Sequence, residues 1–407
     1  MTMMFINIRA GLVVSFLMLG FILANFKRVI SVLFTPPHRL FLLFVAIELL
    51  SFINYVANSE AFFFVSNYPR IISEIFSYII IPQVFFYWLG SEISTNNKNI
   101  NLQLKSITLV NIALISICII LHLWVPDFYV EFAKQYFEAA TTGQLLDKEI
   151  IPRMHGYLNS MQNGVVCSTT IILVAVLFKH KLLKIALILI LILGSIFTLQ
   201  RGSWVACLLA ILLLALIEFR NNQFNIGKFI QKNRLEFALF VFVLISGFVF
   251  FQTLSDDSGG YAPHLLYRIA EFGDASNERS QQFVDAKIVL EKYPFGIGLG
   301  LLTAKATDQG FRYSVPDAIY YRIFAELGYV GGLVFLSFLI GGLVKLYKKG
   351  LFYLAAILVV YMFQATGTAV FELYYCSFPF WILMAIAYSK QEQVPMQGQR
   401  SIPNVDI

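Results

Sequence analysis

Two arginines and one aspartate stand beside long apolar runs, where ionised side chains are costly unless they bind something. Arg201 lies within "TLQRGSWVA", Arg279 within "SNERSQQF", and Asp317 directly precedes "AIYYRIF". A guanidinium binds phosphate oxygens in a bidentate manner, and a carboxylate accepts the proton of an attacking hydroxyl. These residue types indicate phosphate binding and base catalysis, although each residue also has a simpler structural interpretation.

Arg201 is predicted to lie at the tip of a helical hairpin. The apolar stretch 182–219 would be about 57 Å long as one helix, against a hydrocarbon core of about 30 Å, so it must turn back. Only "QRGS" offers turn residues: Gly202 permits the turn and Ser203 caps the next helix. A cation at a helix amino terminus is unfavourable unless an anion binds there. The alternative is that Arg201 anchors the hairpin to lipid phosphates.

Three further segments carry polar residues next to the membrane: 151–164, 276–300 and 315–332. Besides Arg279 and Asp317, their candidate binding residues are Arg153, Asn159, Gln162, Asn163, Tyr320, Tyr321 and Arg322. In 151–164 the polar residues and glycines come just before an apolar helix, which suits close packing against a polar ligand. The simpler interpretation makes Arg279 a solvated surface residue and Asp317 an amino-terminal helix cap.

The segment 276–293 has the pattern of an amphipathic helix outside the membrane. Ser276 or Asn277 is a candidate cap, and Arg279 falls in the first turn. Apolar residues recur at helical spacing at Phe283, Ala286, Val289, Leu290 and Tyr293. The segment "YPFG" is predicted to end this helix.

The elements that position these residues are membrane helices. With 58% hydrophobic and 13% charged residues and a mean hydropathy of +0.73, the chain is predicted to be an all-α polytopic membrane protein. Eleven apolar stretches are long enough to span a bilayer: 10–26, 39–57, 71–90, 106–125, 160–178, 182–199, 203–219, 236–254, 318–344, 351–369 and 372–389. The four cysteines fall inside these stretches, which indicates neither disulfides nor a metal site.

The distribution of basic residues predicts the orientation. Most lysines and arginines lie in alternate connections, which are therefore cytoplasmic. The two long loops 126–157 and 255–316 then lie outside, within a single transmembrane domain over 1–389, and the tail 390–407 is cytoplasmic and predicted to be disordered. These outer loops carry more acidic than basic residues, so the net charge of +6 does not indicate nucleic-acid binding.

In this order, the four segments resemble the O-antigen polymerase and O-antigen ligase superfamily of bacterial polysaccharide assembly. Members have an "SRG"-type hairpin, here "QRG", and an "RxxGxxxNxNxxG"-like stretch, here Arg153 to Gly164. The resemblance continues with an "R…a…P.G.G.G" loop and a helix start of the type "(H/D)(N/S)xxLxxxxxxGxxG". In this chain these are Arg279, Ala286, Pro294, Gly296, Gly298 and Gly300, and then Asp317 to Gly331.

The resemblance implies a GT-C-like architecture and a metal-independent glycosyltransferase in the bacterial inner membrane, active on the periplasmic face without a cofactor. The donor is a growing glycan on undecaprenyl pyrophosphate, and the acceptor is a lipid-linked repeat unit. Arg201, Arg279 and Arg153 would neutralise the pyrophosphate, Asp317 would act as base with His155 as second candidate, and Tyr320 or Tyr321 would contact sugar. Implied partners are a flippase and a chain-length regulator.

Two alternatives remain. Ligases of the superfamily, which join polysaccharide to lipid A core, usually have histidine where this chain has Asp317, which favours a polymerase. The family also often has Asn where Ala318 stands. A flippase or transporter of lipid-linked sugars usually shows repeated halves and charges near the bilayer midplane, whereas here the charged residues collect at the outer ends, apart from Glu48 and Glu326. "GIGLG" follows no strand, which argues against nucleotide binding.

Overall fold

The computed structural model describes residues 8–57, 75–95, 100–124, 160–198, 200–221, 275–303, 313–368, 370–371 and 374–389. Across these ranges the chain is helical and contains no β-strand, as the predicted all-α class requires. The α-helices are α1 (Ile8–Ala24), α2 (Phe26–Leu33), α3 (Arg39–Ala57), α4 (Ile81–Thr95), α5 (Ile100–Trp124), α6 (Ser160–Leu177), α7 (Lys181–Phe197), α8 (Arg201–Asn221), α9 (Ala275–Lys292), α10 (Ile319–Lys348), α11 (Phe352–Gln364) and α12 (Tyr374–Tyr388).

Helices lie at ten of the eleven predicted spans, and the remaining one, 236–254, is outside the described residues. Four described helices are long and apolar enough to cross a membrane by themselves: Pro36–Asn54, Leu104–Trp124, Arg201–Glu218 and Ile319–Lys348. A fifth span results if Val13–Ala24 and Phe26–Leu33, which meet at 82°, count as one broken helix. The chain thus has the helices of a membrane protein, and the number eleven stays a prediction.

The chain divides into two compact units, one formed by residues 1–103 and 276–407, and the other by residues 104–275. We call them unit 1 and unit 2. The predicted single domain over 1–389 stays a prediction, and the tail 390–407 lies outside the described residues.

Unit 1 has an aromatic core between α3, α4, α10 and α12. Phe41 stacks on Tyr87 with ring centroids 3.6 Å apart. The ring centroids of Phe338 and Trp381 each lie 6.0 Å from that of Phe41. Helices α4 and α12 approach closely because Gly90 faces the second helix: a Cβ there would stand 2.7 Å from the Cα of Ile382. Close approach of backbones through small residues is the usual way in which membrane helices associate.

Unit 2 is built around α6, which packs against both α7 and α8. The side chains of α6 from Asn163 to Val174 are almost all buried. Asn111 of α5 donates from Nδ2 to the Thr170 hydroxyl at 3.2 Å, a polar contact between two apolar helices. Cys118, Cys167 and Cys207 are buried in this unit.

Candidate functional site

The predicted hairpin at Arg201 is present in unit 2. Helix α7 ends at Phe197 and α8 begins at Arg201, so only residues 198–200 separate the two helices. Gln200 closes the turn by accepting the amides of Ser203 and Trp204 on its carbonyl at 3.0 and 3.3 Å. Arg201 is half-buried at the first position of α8, the amino terminus that the sequence predicted.

The predicted roles of Gly202 and Ser203 in this turn were wrong. Both residues lie inside the first turn of α8, and Gly202 is not among the described glycines with a positive φ. The turn instead relies on Thr198, whose hydroxyl donates to the Ser195 carbonyl at 2.6 Å and accepts the Gln200 amide at 3.3 Å. The Thr198 hydroxyl therefore stabilises the turn that was expected to depend on a glycine.

Two of the predicted motifs meet in unit 2, at the contact between Gly164 and Ser203. A Cβ at Gly164 would overlap the Ser203 side chain and lie 3.0 Å from its Cα. Gly164 thus lets α6 approach α8 two residues after Arg201. Helix α6 begins at Ser160, so Gln162 and Asn163 belong to its opening turn, and Asn163 is buried. Arg153, His155 and Asn159 lie outside the described residues.

In unit 1, α9 confirms a helix where the sequence predicted one over 276–293, but its apolar residues are only partly collected on one face. It begins at Ala275, before Ser276 and Asn277, so the predicted caps lie within its first turn and Arg279 is its fifth residue. Ala286 and Val289 are buried, as the helical spacing predicted, whereas Phe283 is exposed.

The glycine-rich segment after α9 is a structural element of unit 1. Helix α10 is interrupted at Gly328, whose φ of 74° and ψ of −178° are not helical. The Gly296–Gly300 segment, with φ values of 90°, 126° and 83° at its three glycines, passes directly beside this break. Ile297, Leu299 and Leu301 are buried. The positive φ values and the closeness to the break in α10 account for glycine at these three positions, with no need for a bound nucleotide.

Backbone hydrogen bonds join this loop to the break in α10. In an unbroken helix the carbonyls of Ala325 and Glu326 would accept from residues 329 and 330. Here the Ile297 amide donates to the Ala325 carbonyl at 3.0 Å, and the Gly298 amide donates to the Glu326 carbonyl at 2.9 Å. The Tyr329 amide donates to the Pro294 carbonyl at 3.1 Å. The loop therefore supplies partners that the interrupted helix lacks, as non-helical backbone in an apolar setting requires.

One buried acid, Glu326, binds the end of this loop, and a second, Glu48, lies on α3 close to another of the loop's contacts. Glu326 is 0% exposed, and its Oε1 accepts the Leu302 amide at 2.9 Å. Glu48 is buried on α3 and accepts from the Gln83 side chain at 3.0 Å, while the neighbouring Ser51 hydroxyl accepts the Leu299 amide at 3.3 Å. Sequence reasoning identified both acids as exceptions within the membrane, but not the bond between Glu326 and the Leu302 amide.

The segment that carries Asp317 is held from three directions within unit 1. The Val315 amide donates to the Leu302 carbonyl at 2.9 Å, which ties the segment to the glycine-rich loop. Arg322 is 1% exposed and donates from Nη1 to the Pro316 carbonyl at 3.0 Å. The amides of Asp317 and Ala318 donate to Oε1 of Gln282 on α9 at 3.3 and 3.2 Å. Asp317 itself is half-buried.

The predicted substrate-binding residues of α10 have different surroundings. The Tyr320 hydroxyl donates to the Met362 carbonyl of α11 at 2.7 Å. Tyr321 is 47% exposed and meets the exposed ring of Phe283 edge-on, with centroids 5.0 Å apart. Of the three residues, Tyr321 is therefore the one that offers a side chain for contact with a ligand, while Tyr320 and Arg322 contact the protein.

Neither Gln282 nor Phe283 was a predicted site residue. Sequence reasoning assigned Phe283 to the buried face of α9 from its spacing and gave Gln282 no role. The role of Gln282 has no local sequence signal, because the two amides that it binds lie 35 and 36 residues further along the chain.

Among the described residues, no group of three or more His, Cys, Asp or Glu side chains is placed to hold a metal ion. Comparison with known proteins adds no identification: no family model, curated protein or solved structure matches the chain. The fold and site thus define a class, a helical membrane protein with a carboxylate on a fixed backbone segment at a helix start.

Proposed function

We propose that the protein polymerises lipid-linked oligosaccharide repeat units at the periplasmic face of the bacterial inner membrane. The growing glycan is transferred from undecaprenyl pyrophosphate to a sugar hydroxyl of a new repeat unit. The observation that carries the proposal is the position of Asp317. Its half-buried carboxylate stands at the start of a long apolar helix, on backbone held by Gln282, Arg322 and the glycine-rich loop.

In the proposed reaction, the acceptor hydroxyl oxygen forms a bond with the anomeric carbon of the donor sugar. The bond between that carbon and the pyrophosphate oxygen breaks, and the pyrophosphate leaves with the electron pair. Asp317 takes the hydroxyl proton, as a general base fixed within hydrogen-bond reach of its substrate does.

The arginines have a separate role in this proposal. Charge develops on the departing pyrophosphate, and guanidinium groups stabilise such charge through bidentate hydrogen bonds. Arg279, near the start of α9 in unit 1, is the proposed donor, and Arg201, at the first position of α8 in unit 2, is by itself a candidate for phosphate binding. The reaction then needs no divalent metal for this step.

Tyr321 and Phe283 support the sugar-binding part of the proposal. Their exposed rings form an edge-on pair one helical turn from Asp317. Aromatic faces of this kind provide apolar contact area together with a hydroxyl group for hydrogen bonding.

A ligase that joins polysaccharide to lipid A core is the second candidate, because it would use the same donor. The test is a gel of surface polysaccharide from a strain lacking the gene, complemented with wild type, Arg201→Ala, Asp317→Asn or the control Asp285→Asn. Asp285 lies on α9, where the Gln281 carboxamide donates to it at 2.9 Å.

Glycan limited to one repeat unit in the deletion strain and in both site variants supports a polymerase. Loss of all glycan from the lipid core, with long chains accumulating on the carrier lipid, identifies a ligase instead. Accumulation of single units at the inner leaflet identifies a flippase. Full chain growth with Asp317→Asn contradicts the assignment of the base.

A further inference from the structure

The amino terminus of α10 has no cap of its own. Its N-cap residue is Ala318, which has no side-chain oxygen and makes no side-chain cap hydrogen bond. The first amides of a helix lack intrahelical acceptors and normally receive one from Ser, Thr, Asp or Asn at this position. The Ile319 amide donates to the Asp317 carbonyl at 3.0 Å. The acceptor for the two preceding amides comes from another helix.

That acceptor is Oε1 of Gln282, which receives the amides of Asp317 at 3.3 Å and Ala318 at 3.2 Å. Gln282 lies on α9, four residues before Ala286 and seven before Val289, both of which are buried. This spacing places the three residues on one side of α9. The packing of α9 therefore sets the position of the carboxamide that holds the Asp317 backbone.

We propose that Gln282 is a positioning residue for Asp317: it caps α10 from α9 and thereby fixes the backbone that carries the reacting carboxylate. The role in catalysis rests on the proposed function, whereas the cap itself does not. A base must be held close to the proton that it accepts, and a displacement of about 1 Å in such a group costs about 100-fold in rate. Because the cap comes from a separate helix, the position of α9 determines the position of the Asp317 backbone.

The neighbouring residue provides a matched control. Gln281 is also on α9, but it is exposed and its Nε2 donates to Asp285 of the same helix at 2.9 Å. Removal of either glutamine takes away one carboxamide from α9. Only the removal of Gln282 deprives the start of α10 of its acceptor.

The cap is tested first by hydrogen exchange on the purified full-length protein, with Gln282→Met, Gln282→Ala, Gln282→Glu and Gln281→Ala. Gln282→Met keeps the side-chain length without an acceptor. In it we expect the peptide covering 315–321 to exchange roughly 5-fold to 30-fold faster, the factor given by one to two lost hydrogen bonds of about 1 kcal/mol each. Gln282→Glu retains an acceptor, and its negative charge suits a helix amino terminus, so its exchange stays within about threefold of wild type.

Unchanged exchange of this peptide in both Gln282→Met and Gln282→Ala overturns the cap, as does an equal increase in Gln281→Ala. If one of the two variants does not fold, the other decides the result.

The positioning role is then tested by kinetics, using lipid-linked repeat units extracted from the deletion strain as the substrate. We expect Gln282→Met to lower kcat at least about 10-fold with KM within about twofold, because substrate contacts remain while the base is misplaced. Gln282→Glu should recover most of kcat, and Gln281→Ala should match wild type.

An unchanged kcat in Gln282→Met, together with faster exchange, overturns the positioning role. Equal losses of kcat in Gln282→Met and Gln282→Glu overturn it as well. If wild type itself extends no chains, the proposed function fails, and the exchange result still decides whether Gln282 caps α10.

Discussion

Substitution of Gly328 by alanine should disconnect the glycine-rich loop from α10. A Cβ at this position would stand 2.6 Å from the Pro294 carbonyl oxygen and 2.7 Å from the Gly296 nitrogen. Both are backbone atoms, which cannot move aside as the end of a flexible side chain can. Relief of the overlap requires the loop to move away from the break in the helix.

The magnitude follows from the geometry of the break. The backbone of Gly328, with φ of 74° and ψ of −178°, is essentially restricted to glycine, and another residue there costs about 1–3 kcal/mol. Movement of the loop also breaks the backbone hydrogen bonds made by the amides of Ile297, Gly298 and Tyr329, each worth about 1 kcal/mol. The free energy of unfolding should therefore fall by about 4–6 kcal/mol.

The assay is SDS-induced unfolding of the purified protein in mixed micelles, followed by fluorescence of its four tryptophans. Gly350→Ala is the matched control, because Gly350 also has a positive φ of 72° but its Cβ would meet nothing within 4 Å. The free energy of unfolding of Gly350→Ala should fall only by the cost of backbone strain, about 1–2 kcal/mol. Gly20→Ala, inside α1 and equally unobstructed, should be neutral or slightly stabilising.

If Gly328→Ala destabilises the protein no more than Gly350→Ala does, the proposed attachment of the loop to α10 is refuted. A larger loss in Gly328→Ala than in Gly350→Ala, with Gly20→Ala unchanged, supports it. Asp317 depends on the same loop through the bond from the Val315 amide to the Leu302 carbonyl. Gly328→Ala should therefore also reduce chain growth in cells.

Three further predictions concern other parts of the molecule. Gly164→Ala should destabilise unit 2 by about 1–3 kcal/mol in the same unfolding assay, because its Cβ overlaps Ser203, and Gly164→Ala with Ser203→Gly should recover most of the loss. Burial, and secondarily the charge of Lys345, lower the pKa of Lys349 from 10.5 to about 8. Between about pH 8 and 10.5 the folded protein has therefore released this proton while the unfolded protein still binds it. The free energy of unfolding should rise with pH across this range. NMR titration of methylated lysines, with Lys349→Arg to assign the signal, checks this pKa, and a value near 10.5 would contradict it. If guanidinium groups neutralise the pyrophosphate, EDTA should leave the rate of chain growth by the reconstituted protein within about twofold of its untreated value, and a loss restored by Mg²⁺ would contradict that role.

Sequence reasoning was most successful where a local pattern determines the structure. Apolar stretches of sufficient length placed helices, and the excess length of 182–219 required a turn near Arg201, which the break between α7 and α8 confirms. The details of that turn were wrong because Thr198 and Gln200 provide its hydrogen bonds, so that α8 begins before the glycine. Hydroxyl groups and glycines can both form such turns, and spacing alone does not distinguish them.

Long-range pairing was not predictable from the sequence. The three alternate glycines after α9 indicated unusual backbone, but not that Pro294, Ile297 and Gly298 bond to backbone groups around Gly328, some 30 residues further along the chain. Backbone groups have no side-chain signature, so nothing in "AELGYVGG" indicates that the helix breaks there. Arg322 and Glu326 had the spacing of an i, i+4 pair. The structure shows a backbone contact for each of them, from Arg322 to the Pro316 carbonyl and from the Leu302 amide to Glu326.

The exposed Phe283 shows a different limit. Its spacing matched the buried residues of α9, yet it lies at the edge of the face and meets Tyr321 instead. A helical pattern predicts which side of a helix is apolar, but the neighbouring elements determine how far burial extends around that side.

Chain extension in proteoliposomes that contain only the purified protein and extracted lipid-linked repeat units distinguishes the proposed polymerase from a ligase or a flippase. We expect wild type and Asp285→Asn to produce a ladder of longer lipid-linked glycans with release of polyprenyl pyrophosphate, and Asp317→Asn to produce at most about 1% of that product. Absence of chain extension by wild type, or a ladder of normal rate from Asp317→Asn, would contradict the account.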